Sequence, residues 1–213
     1  MARFAIRLPG AGSEMAGPAM TNAVGAPPEL EVTARSIALT ALDIALAYWR
    51  AGTREEGGNN RGHQVEFFQR LMGGAPGDPW CADFVCACLV KAYARRHGSD
   101  ESRTFLPGYV HAASAALLPL SGYCPALAEA ARQRYRFRSR EFRAAPGDLV
   151  LFDFDGVGEP HHVGFVVERR PDGTLRTVEG NTSSGEAGSQ ADGDGVFPRV
   201  RGCGRVFGYI HWF

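Results

Sequence analysis

Cys81 follows Trp80 at the end of a Gly- and Pro-rich run, Gly73-Gly74-Ala75-Pro76-Gly77-Asp78-Pro79, and opens an apolar segment that reads as a helix to His97. A thiol at a helix start faces unpaired backbone N–H groups and the positive end of the helix dipole. Both favour the thiolate, which is the nucleophilic form. A second reactive type, His162, stands in Pro160-His161-His162-Val163-Gly164 at the start of an apolar run ending at Val167. Pro171-Asp172-Gly173 marks a turn, and the chain returns through Thr174–Val178 to Glu179-Gly180-Asn181. A hairpin folded at that turn sets His162 roughly opposite residues 179–181. An imidazole beside a thiol takes its proton and later protonates the leaving group. A third polar side chain on the other ring nitrogen would fix tautomer and orientation, and either Glu179 or Asn181 suits that role.

Two plainer arrangements compete. His161 and His162 could merely cap a strand, or bind a metal with Asp153 or Asp155. Neighbouring strand residues point to opposite faces, so the two histidines are poorly placed to share one ion. The other cysteines are Cys86, Cys88, Cys124 and Cys203. With Cys81 they make five, and that odd total and their scattered spacing argue against a disulfide framework and predict ordinary reduced thiols for these four.

The elements that must position these residues are legible in outline. Residues 1–30 are rich in Gly, Ala and Pro and read as a tail, leaving 31–213 as one domain. Ile37, Leu39, Leu42, Ile44, Ala45, Ala47 and Tyr48 form a helical face, with Thr33 as its predicted cap. A Gly-rich loop spans 51–62, and a short helix runs from His63 to Met72. Beyond a loop at 98–108, residues 109–133 are Ala-rich and partly helical, broken at Pro119 and Pro125. The arginines of 132–143 alternate with Tyr135 and Phe137, which predicts a solvated strand rather than a nucleic-acid stripe. Leu149–Phe154, Val163–Val167, Leu175–Val178 and Val206–Trp212 read as antiparallel strands. Helices first and strands after make an α+β fold.

Bulk properties exclude several classes. The chain has 213 residues, 45% hydrophobic and 22% charged, with Lys plus Arg equal to Asp plus Glu at 23 each. That composition is globular, and zero net charge recruits neither nucleic acid nor an anionic membrane. No apolar run approaches the roughly 20 residues of a membrane span. Pro9, Gly10, Gly12, Ser13 and Glu14 interrupt the N-terminal segment, so it does not read as a secretory signal.

Five ordered stretches resemble the CHAP domain, the cysteine, histidine-dependent amidohydrolases and peptidases related to NlpC-like hydrolases. They are Asn59–Gly62, Gly77–Val85, Ala145–Phe152, His162–Val166 and Val178–Thr182; Gly195-Val196 and Val206–Ile210 resemble the family's closing strands. The resemblance covers about residues 50–213. It implies a papain-like fold with N-terminal helices on a C-terminal antiparallel sheet. It implies Cys81 as nucleophile, His162 as base, Glu179 as the orienting acid and Asn181 in support. The Cys81 backbone N–H is the natural oxyanion donor. Asn60, Arg61 and Trp80 become candidate substrate contacts, with core packing the alternative for Trp80, and loops 51–62, 73–80 and 182–195 would wall the cleft. Some phage members carry an Asp-rich calcium loop before the nucleophile. Here that loop has Asp78 alone, so no metal and no cofactor are expected.

The implied activity is peptidoglycan amide hydrolysis, as an N-acetylmuramoyl-L-alanine amidase or a stem or cross-bridge endopeptidase. The expected partner is peptidoglycan, without nucleic acid or membrane insertion, and the expected state is a monomer. Such a chain would be made in the cytoplasm and reach the wall by release or injection. A silent component of a phage particle or secretion apparatus, or a hydrolase of non-murein amides, are the alternatives.

Overall fold

The computed structural model describes residues 28–99, 107–185, 189 and 192–212. Residues 1–27 of the expected tail lie outside the described residues. Among the described residues, five α-helices precede nearly all of the sheet: α1 (Pro28–Arg50), α2 (His63–Leu71), α3 (Cys81–Arg96), α4 (Pro107–Ala116) and α5 (Cys124–Gln133). Six strands follow: β1 (Phe137–Arg138), β2 (Leu149–Phe152), β3 (His162–Arg169), β4 (Leu175–Thr182), β5 (Gly195–Arg201) and β6 (Val206–Ile210). They form one antiparallel sheet in the order β1-β6-β2-β3-β4-β5, which is the α+β arrangement expected.

Two boundaries differ from the sequence reading. Pro28–Leu30, assigned to the tail, begin α1, because proline's fixed φ suits a first helical turn. Thr33 therefore lies inside α1 and does not cap it. The arginine-rich run is strand only at Phe137–Arg138, pairing with β6. Its side chains lie on aromatic rings instead: Arg132 over Phe137 at 4.4 Å and Arg136 over Trp212 at 5.8 Å. Cation–π stacking of this kind holds the flank of the sheet without a regular ladder.

The sheet is apolar on both faces. Leu149, Leu151, Val163, Phe165 and Val178 join the core shared with α1, α3 and α5. Their neighbours Val150, Phe152, Val166 and Leu175 join Val206 and Tyr209 in a second cluster, as strand alternation requires. α3 lies against β3 and β4, and twelve of its residues are buried. That contact depends on Gly180: a Cβ there would stand 2.7 Å from the Phe84 ring and 2.8 Å from that of Trp80. Glycine lets β4 approach the first turn of α3, and this brings the nucleophile's helix to the strand that carries Glu179.

Candidate active site

Cys81 is the first residue of α3 and is buried, with Trp80 at the N-cap. Trp80 fixes the start of the helix. Its indole is fully buried, stacks on Phe68 and donates from Nε1 to Glu55 Oε1 at 2.9 Å. The loop bearing Glu55 is itself hooked to β5: Glu55 N donates to Asp194 O at 2.8 Å and Val196 N to Thr53 O at 3.0 Å. Trp80 is thus a core anchor and not a substrate contact.

His162 opens β3 and pairs with Phe152, so it shares that residue's face of the sheet. The register Phe165↔Val178 sets Gly164 next to Glu179 on the same face. A Cβ at Gly164 would collide with Glu179 Cγ, so only glycine lets the carboxylate cross to the imidazole. His162 Nε2 donates to Glu179 Oε2 at 2.9 Å, with both side chains fully buried. Nδ1 makes no hydrogen bond, and the Cys81 thiol is the neighbour whose interaction raises the imidazole. Phe152 and Phe154 stack on each other at 5.1 Å, and their rings lie 6.1 and 5.7 Å from the imidazole. The pair is thereby shielded from water, and its electrostatics strengthen.

Glu179 is held from a second side. Arg201 of β5 donates to it through Nε at 2.9 Å and through its second terminal nitrogen, and Thr177 Oγ1 also donates to it. Arg201 lies over the Phe152 and Phe154 rings at 5.5 and 5.0 Å. Burial alone would raise the Glu179 carboxyl, but the bonds from Arg201 and His162 outweigh it and hold it at about 2. Burial would likewise lower His162; the interactions with Cys81 and Glu179 win and raise it to about 9. Cys81 moves the other way. A hydrogen bond from Cys124 lowers the thiol most; burial opposes this, and His162 and the Ala82 N–H add to the lowering. The two shifts together favour a Cys81 thiolate facing a His162 imidazolium. Two negative groups, Cys81 and Glu179, and two positive ones, His162 and Arg201, share one buried enclosure.

Of the two candidates for the third polar group, Glu179 makes the contact. Asn181 is buried beside it at a φ of 55°, where β4 shifts register between Glu179 and Thr182. Both polar atoms of its amide lack hydrogen-bond partners, so it does not bond to His162. Its carbonyl accepts from Gly193 N at 3.1 Å, a backbone role in the bulge. Asn60 is also buried at positive φ; its amide donates to Gly77 O at 3.3 Å and its carbonyl accepts from Gln69 Nε2 at 3.0 Å. It braces two loops and does not line the cavity. Arg61 is exposed and lies away from the cavity too.

A cavity of about 480 Å³ opens beside Cys81. Gly73, Gly74, Asp78 and Pro79 wall it, as expected of loop 73–80. Loop 51–62 does not line it, and the opposite wall is Ser121–Pro125, which the sequence reading passed over. Cys124 and Asp83, also unassigned from sequence, reach the same cavity. Cys124 Sγ lies 3.9 Å from Cys81 Sγ, and its own thiol is raised by that contact and by burial. Cys88, by contrast, packs in the core with its thiol pushed up by burial.

Asp153, Asp155 and His161 carry their donor atoms within 4.8 Å of one another, a spacing a metal would accept. Those donors are already engaged. Phe154 N donates to His161 Nε2, His161 Nδ1 donates to Asp155, and Asp153 accepts from Gly156, Val157 and Gly158 N–H. An ion would have to displace these bonds, so the residues do not fit one well. His162 is not one of these residues, its Nε2 being held by Glu179.

Burial, register and charge thus converge on a cysteine–histidine–glutamate centre at the meeting of α3 with β3 and β4. The CHAP domain family model matches residues 73–181, which contain all three, and the chain belongs to the CHAP domain family. The family is one of cysteine, histidine-dependent amidohydrolases and peptidases. No curated protein and no solved structure matches the chain.

Proposed function

We propose that the protein hydrolyses an amide bond of peptidoglycan by covalent catalysis through Cys81. The observation that carries this reading is the buried His162 fixed through Nε2 on Glu179, with Nδ1 free of any hydrogen bond and next to the Cys81 thiol, whose interaction raises the imidazole. The thiolate adds to the amide carbonyl, and the oxyanion forms at the first turn of α3, where the Cys81 N–H is free of helix bonding. His162 Nδ1–H passes its proton to the leaving amine as the C–N bond breaks. A thioester remains. Water then attacks it, His162 takes a proton from that water, the C–S bond breaks to restore the Cys81 thiolate beside the imidazolium, and the acid product leaves as its carboxylate with its proton passing to solvent. Glu179 stays ionised throughout and holds the ring in place.

The bond cut would be the muramoyl–L-alanine amide or one in the peptide stem or cross-bridge. The cavity beside Cys81 is wide enough for a peptide side chain. The test is incubation of the purified protein with murein sacculi, with mass spectrometry of the soluble products to locate the cut. Fragments are expected from the wild type and none from Cys81→Ala. Undiminished release by Cys81→Ala, or none by the wild type, would overturn the reading.

A further inference from the structure

Asp83 is a carboxyl group that the mechanism does not use. It lies two residues beyond Cys81 in the first turn of α3, is 3% exposed, and lines the cavity. Its neighbours Ala82, Phe84, Val85 and Cys86 are all buried. An acid in a first turn commonly caps its own helix. Asp83 does not, since Trp80 is the N-cap and no side chain caps the helix. Among the described residues it has neither a hydrogen bond nor an ion pair. Its Oδ1 lies so close to Gly122 that a Cβ there would collide with it. Burying an unpaired carboxyl is costly, so its presence in an apolar helix face calls for a partner that arrives from outside.

The surroundings define that partner. Among the described residues, no Lys or Arg lines the cavity. Asp78 turns its carboxylate to the Ala75 N–H at 2.8 Å and lines the same cavity as a second acid; burial, with Cys81 and Asp78 nearby, pushes Asp83 up to about 8, which an arriving cation would reverse. Tyr123, 62% exposed, also lines the cavity. Two acids in one cavity suit a cation that carries hydrogen-bond donors.

We propose that Asp83 is a specificity-determining residue that receives a primary ammonium group of the substrate peptide, close to the amide that Cys81 attacks. The proposal rests on Cys81 as the amide-cleaving nucleophile. It names the substrate class as peptides with a free amine beside the scissile bond.

Affinity labelling tests this without requiring turnover of murein. Cys81 is alkylated by a series of α-chloroacetamides carrying a primary ammonium on alkyl arms of different length, and by their N-acetylated twins. Intact-mass spectrometry follows the rates. At the best arm length the wild type is expected to label with the ammonium reagent about tenfold faster than with its twin. Asp83→Asn and the smaller Asp83→Ser are expected to label with both equally. Iodoacetamide, which has no arm, reports that the thiol and the fold are intact in each variant. Twins that label the wild type within about twofold at every length would overturn the proposal, as would an undiminished preference in both variants. Murein cleavage with no ammonium preference strikes Asp83 alone. A preference without murein cleavage strikes the proposed substrate and leaves the subsite standing.

Discussion

Arg201 grips Glu179 through two nitrogens of its guanidinium, and Glu179 in turn grips His162. The acid is therefore fixed on both sides within a fully buried space. Removing the arginine leaves a carboxylate without its main counter-charge. Arg201→Met should lose about 3–5 kcal/mol of stability, read by chemical denaturation. Activity should fall with it. If Arg201→Met unfolds at the wild-type denaturant concentration, the clamp is unimportant to the fold.

The acid side of the stability profile should carry the same signature. Glu179 titrates from an ordinary value of 4.5 down to about 2 on folding. A carboxyl lowered on folding stabilises the protein above its unfolded value, and that stability is lost as pH falls through the folded one. Denaturation midpoints should thus decline from about pH 4.5 towards pH 2, and the decline should be shallower in Glu179→Gln. Equal slopes for the two proteins would remove Glu179 from this account.

On the alkaline side His162 governs. Its value is raised to about 9, so the imidazolium and its contribution to stability are present below the ordinary value of 6.5 and lost as pH rises through about 9. Turnover needs that proton for the leaving amine, so kcat/KM should fall through the same range. His162→Ala should lower turnover about a thousandfold at neutral pH, in keeping with loss of a general acid–base group. An alkaline limb unchanged in position by variation at His162 would assign it to another group.

Cys124 tunes the nucleophile. It is the foremost influence lowering the Cys81 thiol, across 3.9 Å. Cys124→Ala should raise that thiol, so that iodoacetamide labels Cys81 roughly tenfold more slowly on the acid side of neutrality. At high pH, where both thiols ionise fully, the rates should converge. Identical labelling profiles would show that the contact has no effect on ionisation.

Gly164 tests the register. A Cβ on it would push into Glu179 Cγ, which has no room to retreat from Arg201 and Thr177. Gly164→Ala should cost about 1–3 kcal/mol of stability and lower kcat much more than it alters KM. A fully active Gly164→Ala would mean that Glu179 can reach His162 by another path.

The sequence carried the centre because its signals were local. A turn at Pro171-Asp172-Gly173 and two apolar runs are enough to set His162 beside Glu179, and the break at Pro79 is enough to start a helix at Cys81. Residue types alone leave Glu179 and Asn181 both open, because both lie on the returning strand within reach of His162; the family resemblance names Glu179, and its side chain is the one that bonds to the imidazole. Core packing, the alternative reading for Trp80, is where its buried indole lies, and Asn60 braces two loops; polar or amphipathic residues beside a nucleophile look alike in sequence whether they face solvent or core. Arg201, Cys124 and Asp83 gave no signal of their own. Arg201 and Cys124 matter through partners far away in the chain and Asp83 through a cavity that distant segments complete, and nothing in the residues around Arg201 marks it as the counter-charge of Glu179.

That long reach has a consequence during synthesis. Cys81 leaves the ribosome well before β3, and the clamp on Glu179 waits for β5. Contacts so distant in sequence form late in folding. A nascent chain that displays α3 alone has a thiol with neither an imidazolium to ionise it nor a proton donor for a leaving group. The protein is therefore translated unarmed, and competence arrives only when the far edge of the sheet closes around Glu179.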